Sequence, residues 1–193
     1  MCRAPCLIIA GGIGMKTDIG NGIALYPLPV VVLGAMVDGK PNWMEAAHVG
    51  IIAQSRILVS CAKAHYTAKG TRKGKPVSVS LVDAASLPKA DYVGAVSGNE
   101  TDKSGVYSWQ EAGNGAPVPD DAPLTMACTV DDIYETPGFD NLVLRVDSTL
   151  AEESILTDGR IDYSKFKPVL FEGPDYSYMS VGEVIGKGGS FKG

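Results

Sequence analysis

Residues 27–44 read PLPVVVLGAMVDGKPNWM. Val30 to Val37 form a run of aliphatic and β-branched residues, and Asp38-Gly39 follows at once. Asp and Gly both tolerate positive φ, so this pair between two strand-like runs predicts a tight hairpin whose return strand begins near Asn42. Read as one continuing strand, NWMEAAHVGII (42–52) places Trp43, Glu45, Ala47, Val49 and Ile51 on one face. Met44, Ala46, His48, Gly50 and Ile52 take the other, and neither face is purely polar.

Working outward, RILVSCA (56–62) reads as a further strand, and VSVSLV (77–82) alternates apolar and hydroxyl side chains, which predicts one solvated face. Asp83 to Tyr92 predicts a short helix interrupted by Pro88. SGNETDKSG (97–105) is a polar, turn-rich stretch expected to be exposed, and the Gly and Pro residues of 110–123 suit an extended connection. TMACTVDDIYE (125–135) and NLVLRVDSTL (141–150) read as an antiparallel pair, and KPVLFE (167–172) as one more strand. The terminal GKGGSFKG (186–193) is expected as a loose tail. Many short strands and few helices predict a mainly β fold, a barrel or sandwich with peripheral helices.

The chain has 193 residues, enough for one self-sufficient core, with 45% hydrophobic and 20% charged residues. With 17 Lys+Arg against 22 Asp+Glu the net charge is -5, which gives no general attraction to nucleic acid or anionic membranes. Apolar runs fall well short of the roughly 20 residues a membrane helix requires. A cytoplasmic location is expected, because residues 1–14 make a poor secretory signal. LIIAGGIG (7–14) resembles the start of a phosphate loop, yet it lacks the third glycine of G-x-G-x-x-G, and Met15 separates Gly14 from Lys16. Residues 1–15 are therefore expected to be a flexible N-terminal extension, and 16–193 a single domain. Cys2, Cys6, Cys61 and Cys128 form no CxxC pair, and His48 and His65 do not stand at ligand spacing with them, so no metal site is expected.

Three phrases together carry a resemblance: PLPVVVLGAMVDGKPNWM, KAHYT (63–67) and DYVGAVSGNETDKSG (91–105). In their order they resemble the flavin reductase-like family of FMN-binding split barrels, which includes flavoredoxins. APLTMACTV (122–130), GRIDYSKFKPVLF (159–171) and YSYMSVGEVIG (176–186) look like that family's closing strands and C-terminal segment, so the likeness runs from about Ile19 to Gly186. The resemblance implies a homodimeric antiparallel split β-barrel with FMN in a groove near the subunit interface. It places Asn42, Trp43, Met44 and Glu45 beside the isoalloxazine ring, and Cys61, Ala62, Lys63 and Thr67 around the ribityl phosphate. Ser97, Gly98 and Lys103 would close over the site.

The chemistry of such a ligand agrees with those residue types. A phosphate wants ammonium, hydroxyl and amide donors, and Lys63, Tyr66 and Thr67 supply them in one short segment. The ring wants a flat apolar slot, for which Trp43 and Met44 are candidate walls. The plain alternatives are solvated lysines at 63 and 103, a core tryptophan at 43 and a neutral buried thiol at Cys61. Glu45 departs from the small hydroxyl residue common at that point of the family, and it needs a partner, Lys63 or a positive dipole, to sit near an anionic ligand. The expected activity is an FMN-dependent flavin reductase-like oxidoreductase, with NADH, NADPH or a redox protein as donor and no side chain assigned as acid or base. A flavoredoxin-type electron carrier and a flavin-free binding module are the alternatives.

Overall fold

The computed structural model describes residues 16–190, so the expected extension at 1–15, with the glycine run, Cys2 and Cys6, lies outside the described residues. In chain order the strands begin with β1 (Leu28–Pro29), β2 (Val31–Val37), β3 (Lys40–Ala46), β4 (Val49–Ala53), β5 (Arg56–Ala62) and β6 (Pro76–Leu81). The helix α1 (Leu87–Ala95) follows, then β7 (Trp109–Glu111), β8 (Pro117–Pro119), β9 (Leu124–Thr136) and β10 (Phe139–Ala151). The chain ends in β11 (Leu156–Thr157), β12 (Arg160–Ile161), β13 (Val169–Glu172) and β14 (Ser177–Ser180).

The hairpin forms where Asp-Gly predicts it. Asp38 and Gly39 lie in the left-handed region, at φ 51° and 79°, and join β2 to β3 with Gly34 opposite Trp43. The main sheet is antiparallel in the order β3-β2-β6-β9-β10-β5-β4. The continuous strand expected through 42–52 is broken, because β3 ends at Ala46 and β4 begins at Val49 on the opposite edge of the sheet. Only Ala47 and His48 span the two edges. So short a link requires the sheet to curl until its edges meet, and Met44 Sδ on β3 indeed lies 3.9 Å from Cys61 Sγ on β5. The result is a mainly β, split antiparallel barrel.

Alternate residues fill its interior: Leu33 and Ala35 of β2, Val59 and Cys61 of β5, Val77 and Val79 of β6, Leu142 and Leu144 of β10. Each fully buried aliphatic side chain contributes roughly 1.5–3 kcal/mol. Outside the barrel a second cluster joins Val32 and Trp43 to Ala90 and Val93 of α1 and to Tyr107. The indole lies over Gly34, where a Cβ would come within 2.5 Å of Trp43 Cζ3, so only glycine fits beneath it.

Three local expectations are corrected by this outer layer. The hydroxyl face of 77–82 is dry: Ser78 and Ser80 are buried, and Ser80 Oγ pairs with Thr125 Oγ1 at 2.8 Å. The cover comes from 107–119, which folds into the β7–β8 hairpin and lays β8 against β2 and β6 instead of running as an extended connection. Pro88 starts the helix instead of interrupting it. Asp83 and Ser86 form a reciprocal turn ahead of α1, with Ser86 N donating to Asp83 Oδ1 at 2.8 Å and Asp83 N to Ser86 Oγ at 3.0 Å. Among the described residues no helix is long and apolar enough to cross a membrane.

Candidate functional site

At one end of the barrel, β3, the 3-10 turn Tyr66–Lys69 and the loop after α1 enclose two adjoining clefts. One, of about 410 Å³, runs between the hairpin at Asp38 and Lys40 and the loop 98–103. The other, of about 250 Å³, lies between Met44, Glu45 and His65 on one side and 93–98 on the other. Asn42 stands on β3 in the first, and Thr67 in the second. Tyr66, Gly98 and Lys103 belong to both clefts and mark their join.

The packing at the join is tight. Asn42 Nδ2 donates to Thr67 Oγ1 at 2.7 Å, both residues being buried. A Cβ on Gly98 would meet Asn42 Oδ1 at 2.9 Å and Tyr66 Cβ at 2.9 Å, so glycine lets the loop approach the turn. Asn99 Nδ2 donates to Ala64 O at 3.0 Å and ties the same two segments together. Ser97 Oγ accepts from Asn99 N at 3.2 Å and shapes the loop start. Tyr66 OH donates to Asp38 Oδ2 at 2.9 Å.

Lys103 is the charged centre of this end. Although its loop reads as exposed, the side chain is only 4% exposed. Nζ donates to Val93 O at 2.9 Å and Val96 O at 3.2 Å, capping the C-terminal carbonyls of α1. Among the described residues it forms no ion pair. Burial pushes its ammonium below the usual lysine value. Burial, and then the charge of Lys103, likewise lowers His65, whose Nδ1 lies 2.8 Å from Met44 Sδ. Burial raises Glu45. For the buried Lys103 and the half-buried Glu45 the shifts favour the neutral form, as expected where a cleft wall is poorly solvated, whereas the His65 residue is exposed.

Of the residues singled out from sequence, Asn42, Met44, Glu45, Tyr66, Thr67, Ser97, Gly98 and Lys103 line one cleft or both. Four do not. Trp43 turns outward into the core, edge-on to Tyr107 with ring centroids 5.2 Å apart. Cys61 is sealed inside the barrel, its thiol pushed up to about 11 by burial and then by Asp140. Ala62 lies beyond the lining. Lys63, expected at a phosphate, pairs instead with Glu135 and with Asp140 at 3.5 Å. It therefore does not neutralise Glu45. Glu45 Oε1 accepts a hydrogen bond from Tyr178 OH at 2.9 Å. Tyr178 sits far along the chain on β14, and no local sequence signal marks it.

The family model described as "Flavin reductase like domain" matches residues 23–169. The fold is similar to the flavoredoxin of Methanosarcina acetivorans, with TM-score 0.86 and 33% identity over 91% of this chain and 96% of that one. It is also similar to the flavoredoxin of Desulfovibrio vulgaris (Miyazaki F), with TM-score 0.84 and 29% identity over 92% and 99% of the two chains. An FMN-binding protein from Thermus thermophilus shares the fold at TM-score 0.73 and 20% identity, over 89% and 95%. A comparison with curated proteins found no match. The matched span covers the barrel and both clefts, and the chain belongs to the flavin reductase-like domain family.

Proposed function

We propose that this protein is an FMN-binding oxidoreductase that takes electrons from a reduced nicotinamide or a protein donor and passes them to an acceptor. Lys103 carries the reading: an ammonium 4% exposed, bonded among the described residues to carbonyl oxygens alone, at the join of two clefts. Such a charge is paired with dipoles but not with a counterion, which suits it to an anionic ligand. Thr67 and Tyr66 add hydroxyls beside it, and Met44 with Val93 and Ala95 offers an apolar wall in the adjoining cleft. These donors fit the phosphate of FMN and the dry wall fits its ring, so Lys103, Thr67, Tyr66, Asn42 and Gly98 would hold the cofactor. Bound FMN supplies the electron and hydride chemistry, and the chain's own side chains orient it and exclude water.

The family likeness supports a homodimer. An apolar groove of about 620 Å³ lined by Val49, Ile51, Leu81, Met126, Ile161 and Tyr163 is the surface we assign to it, with Ile51 85% exposed. A flavoredoxin-type carrier is the second reading, favoured by the likeness to two flavoredoxins. Purified protein titrated with FMN is expected to take up one flavin per chain, with light scattering reporting a dimer. No binding would overturn the proposal. Rapid mixing of the loaded protein with NADH and NADPH separates the readings, since a carrier is not reduced by either.

A further inference from the structure

Tyr178 OH lies 2.9 Å from Glu45 Oε1 and 2.8 Å from Asp91 Oδ1. A phenol has a single proton to donate, so two ionised carboxylates at these distances would leave one oxygen pair facing lone pair to lone pair. The arrangement closes only with a second proton. Glu45 is the half-buried partner and lines the 250 Å³ cleft, whereas Asp91 is exposed on α1 and its charge is solvated. Glu45 Oε2 lies against Gly94, another lining residue, leaving no room for a Cβ there.

The surroundings do not neutralise the carboxylates. Tyr178 approaches from β14, Asp91 from α1 and Tyr107 from the loop between α1 and β7, its phenol pushed up chiefly by burial. Among the described residues, neither Glu45 nor Asp91 forms an ion pair with Lys, Arg or His. Lys89, next along α1, is engaged by Asp121 at 2.5 Å, and Lys103 by the helix carbonyls. For Glu45 itself, burial is the largest influence and raises it. The Tyr178 bond opposes that, and Asp91 raises it again.

We propose that Glu45, Tyr178 and Asp91 form a proton relay in which Glu45 holds the extra proton at the cleft wall and Tyr178 links it to Asp91 and bulk water. When Glu45 gives its proton into the cleft it becomes a carboxylate and accepts the Tyr178 O–H. A proton taken from water by Asp91 then passes to the phenol oxygen as the phenol proton moves to Glu45. The net change is one proton moved from water to the cleft, with every residue restored. Its use on a bound flavin rests on the proposed function, but the proton's presence does not.

Infrared difference spectra of the flavin-free protein across a pH titration test it. A protonated carboxyl band is expected to persist above the ordinary carboxylate range, to vanish in Glu45→Gln, and to titrate at lower pH in Asp91→Asn, where a like charge is removed. The folded state then binds more protons than the unfolded chain above the ordinary Glu value of 4.5, so stability declines as pH rises from there through the raised midpoint. Glu45→Gln, whose amide donates to the phenol, loses that slope. Absence of the band, its survival in Glu45→Gln, or an unmoved midpoint in Asp91→Asn overturns the proposal, and the last needs no change in the cleft. In FMN-loaded protein, Tyr178→Phe is expected to keep the band and slow flavin reduction about tenfold or more, and an unchanged rate also overturns the relay. A band present in protein that binds no FMN supports the proton assignment and sinks the flavin reading alone.

Discussion

Lys63 and Lys103 look interchangeable in the sequence, each a lysine in a polar segment beside hydroxyl residues, yet the fold gives them opposite surroundings. Lys63 stands in solvent with its ammonium shared by Glu135 and Asp140. Lys103 is buried, with two carbonyl oxygens for partners. A charge already matched by two carboxylates has little attraction left for a ligand anion, and solvent screens the remainder. A buried charge held by dipoles keeps its field, because the surrounding dielectric is low. Ligand affinity should therefore follow the path of the backbone around the end of α1 and not the density of donors along the chain.

The sharpest way to break this contrast is Lys103→Met. Hydrogen bonds to charged groups contribute roughly 1.5–3 kcal/mol, so the FMN dissociation constant is expected to rise about tenfold to a hundredfold by titration calorimetry. A pH series adds a second reading. Burial holds the folded-state lysine below its usual 10.5, so in the window beneath 10.5 the unfolded chain binds more protons and this residue's contribution to stability rises with pH. Binding runs the other way: affinity for an anion falls as Lys103 loses its proton on rising pH. That decline is expected to disappear in Lys103→Met, and its persistence would assign the anion to another group.

The next effect falls on the frame that positions Lys103's loop. Asn42→Ala removes the donor to Thr67 Oγ1 and leaves a hydroxyl that is 1% exposed without that partner. A loss of about 1–2 kcal/mol in urea unfolding is expected, with FMN binding weakened less than by Lys103→Met. The larger binding loss in Asn42→Ala would place the anion nearer the Thr67 end of the join.

How far these outcomes were legible beforehand depends on the range of the interaction. The Asp38-Gly39 hairpin and the β9–β10 pair are local, encoded by turn chemistry and strand composition within a few residues, and they form where expected. The break at Ala47–His48 was hidden because alternation continues through it, and only closure of the barrel separates β3 from β4. Ser78 and Ser80 read as wet because the segment that covers them lies at 107–119. At the candidate site, resemblance pointed to Asn42, Thr67, Gly98 and Lys103 and donor chemistry to Tyr66, all of which line the clefts, but neither revealed the burial of Lys103 or the partnership of Glu45 with Tyr178. The first depends on the loop turning back over the end of α1, and the second on β14 meeting β3 and α1 from far along the chain.

The smallest effect is expected at the other lysine, and it tests the contrast from the opposite side. Lys63→Ala removes a cation that lines neither cleft, so the FMN dissociation constant should stay within about twofold of the parent, as for other exposed, already paired charges. Stability need not be equally indifferent. Glu135 returns to solvent, but Asp140 is 6% exposed and loses the ammonium 3.5 Å away. A lowered melting temperature with unchanged binding would mark Lys63 as a clamp on the β5–β10 end of the barrel. A tenfold loss of affinity would mean that the ammonium leaves its carboxylates when ligand arrives, and the distinction drawn between the two lysines would fail.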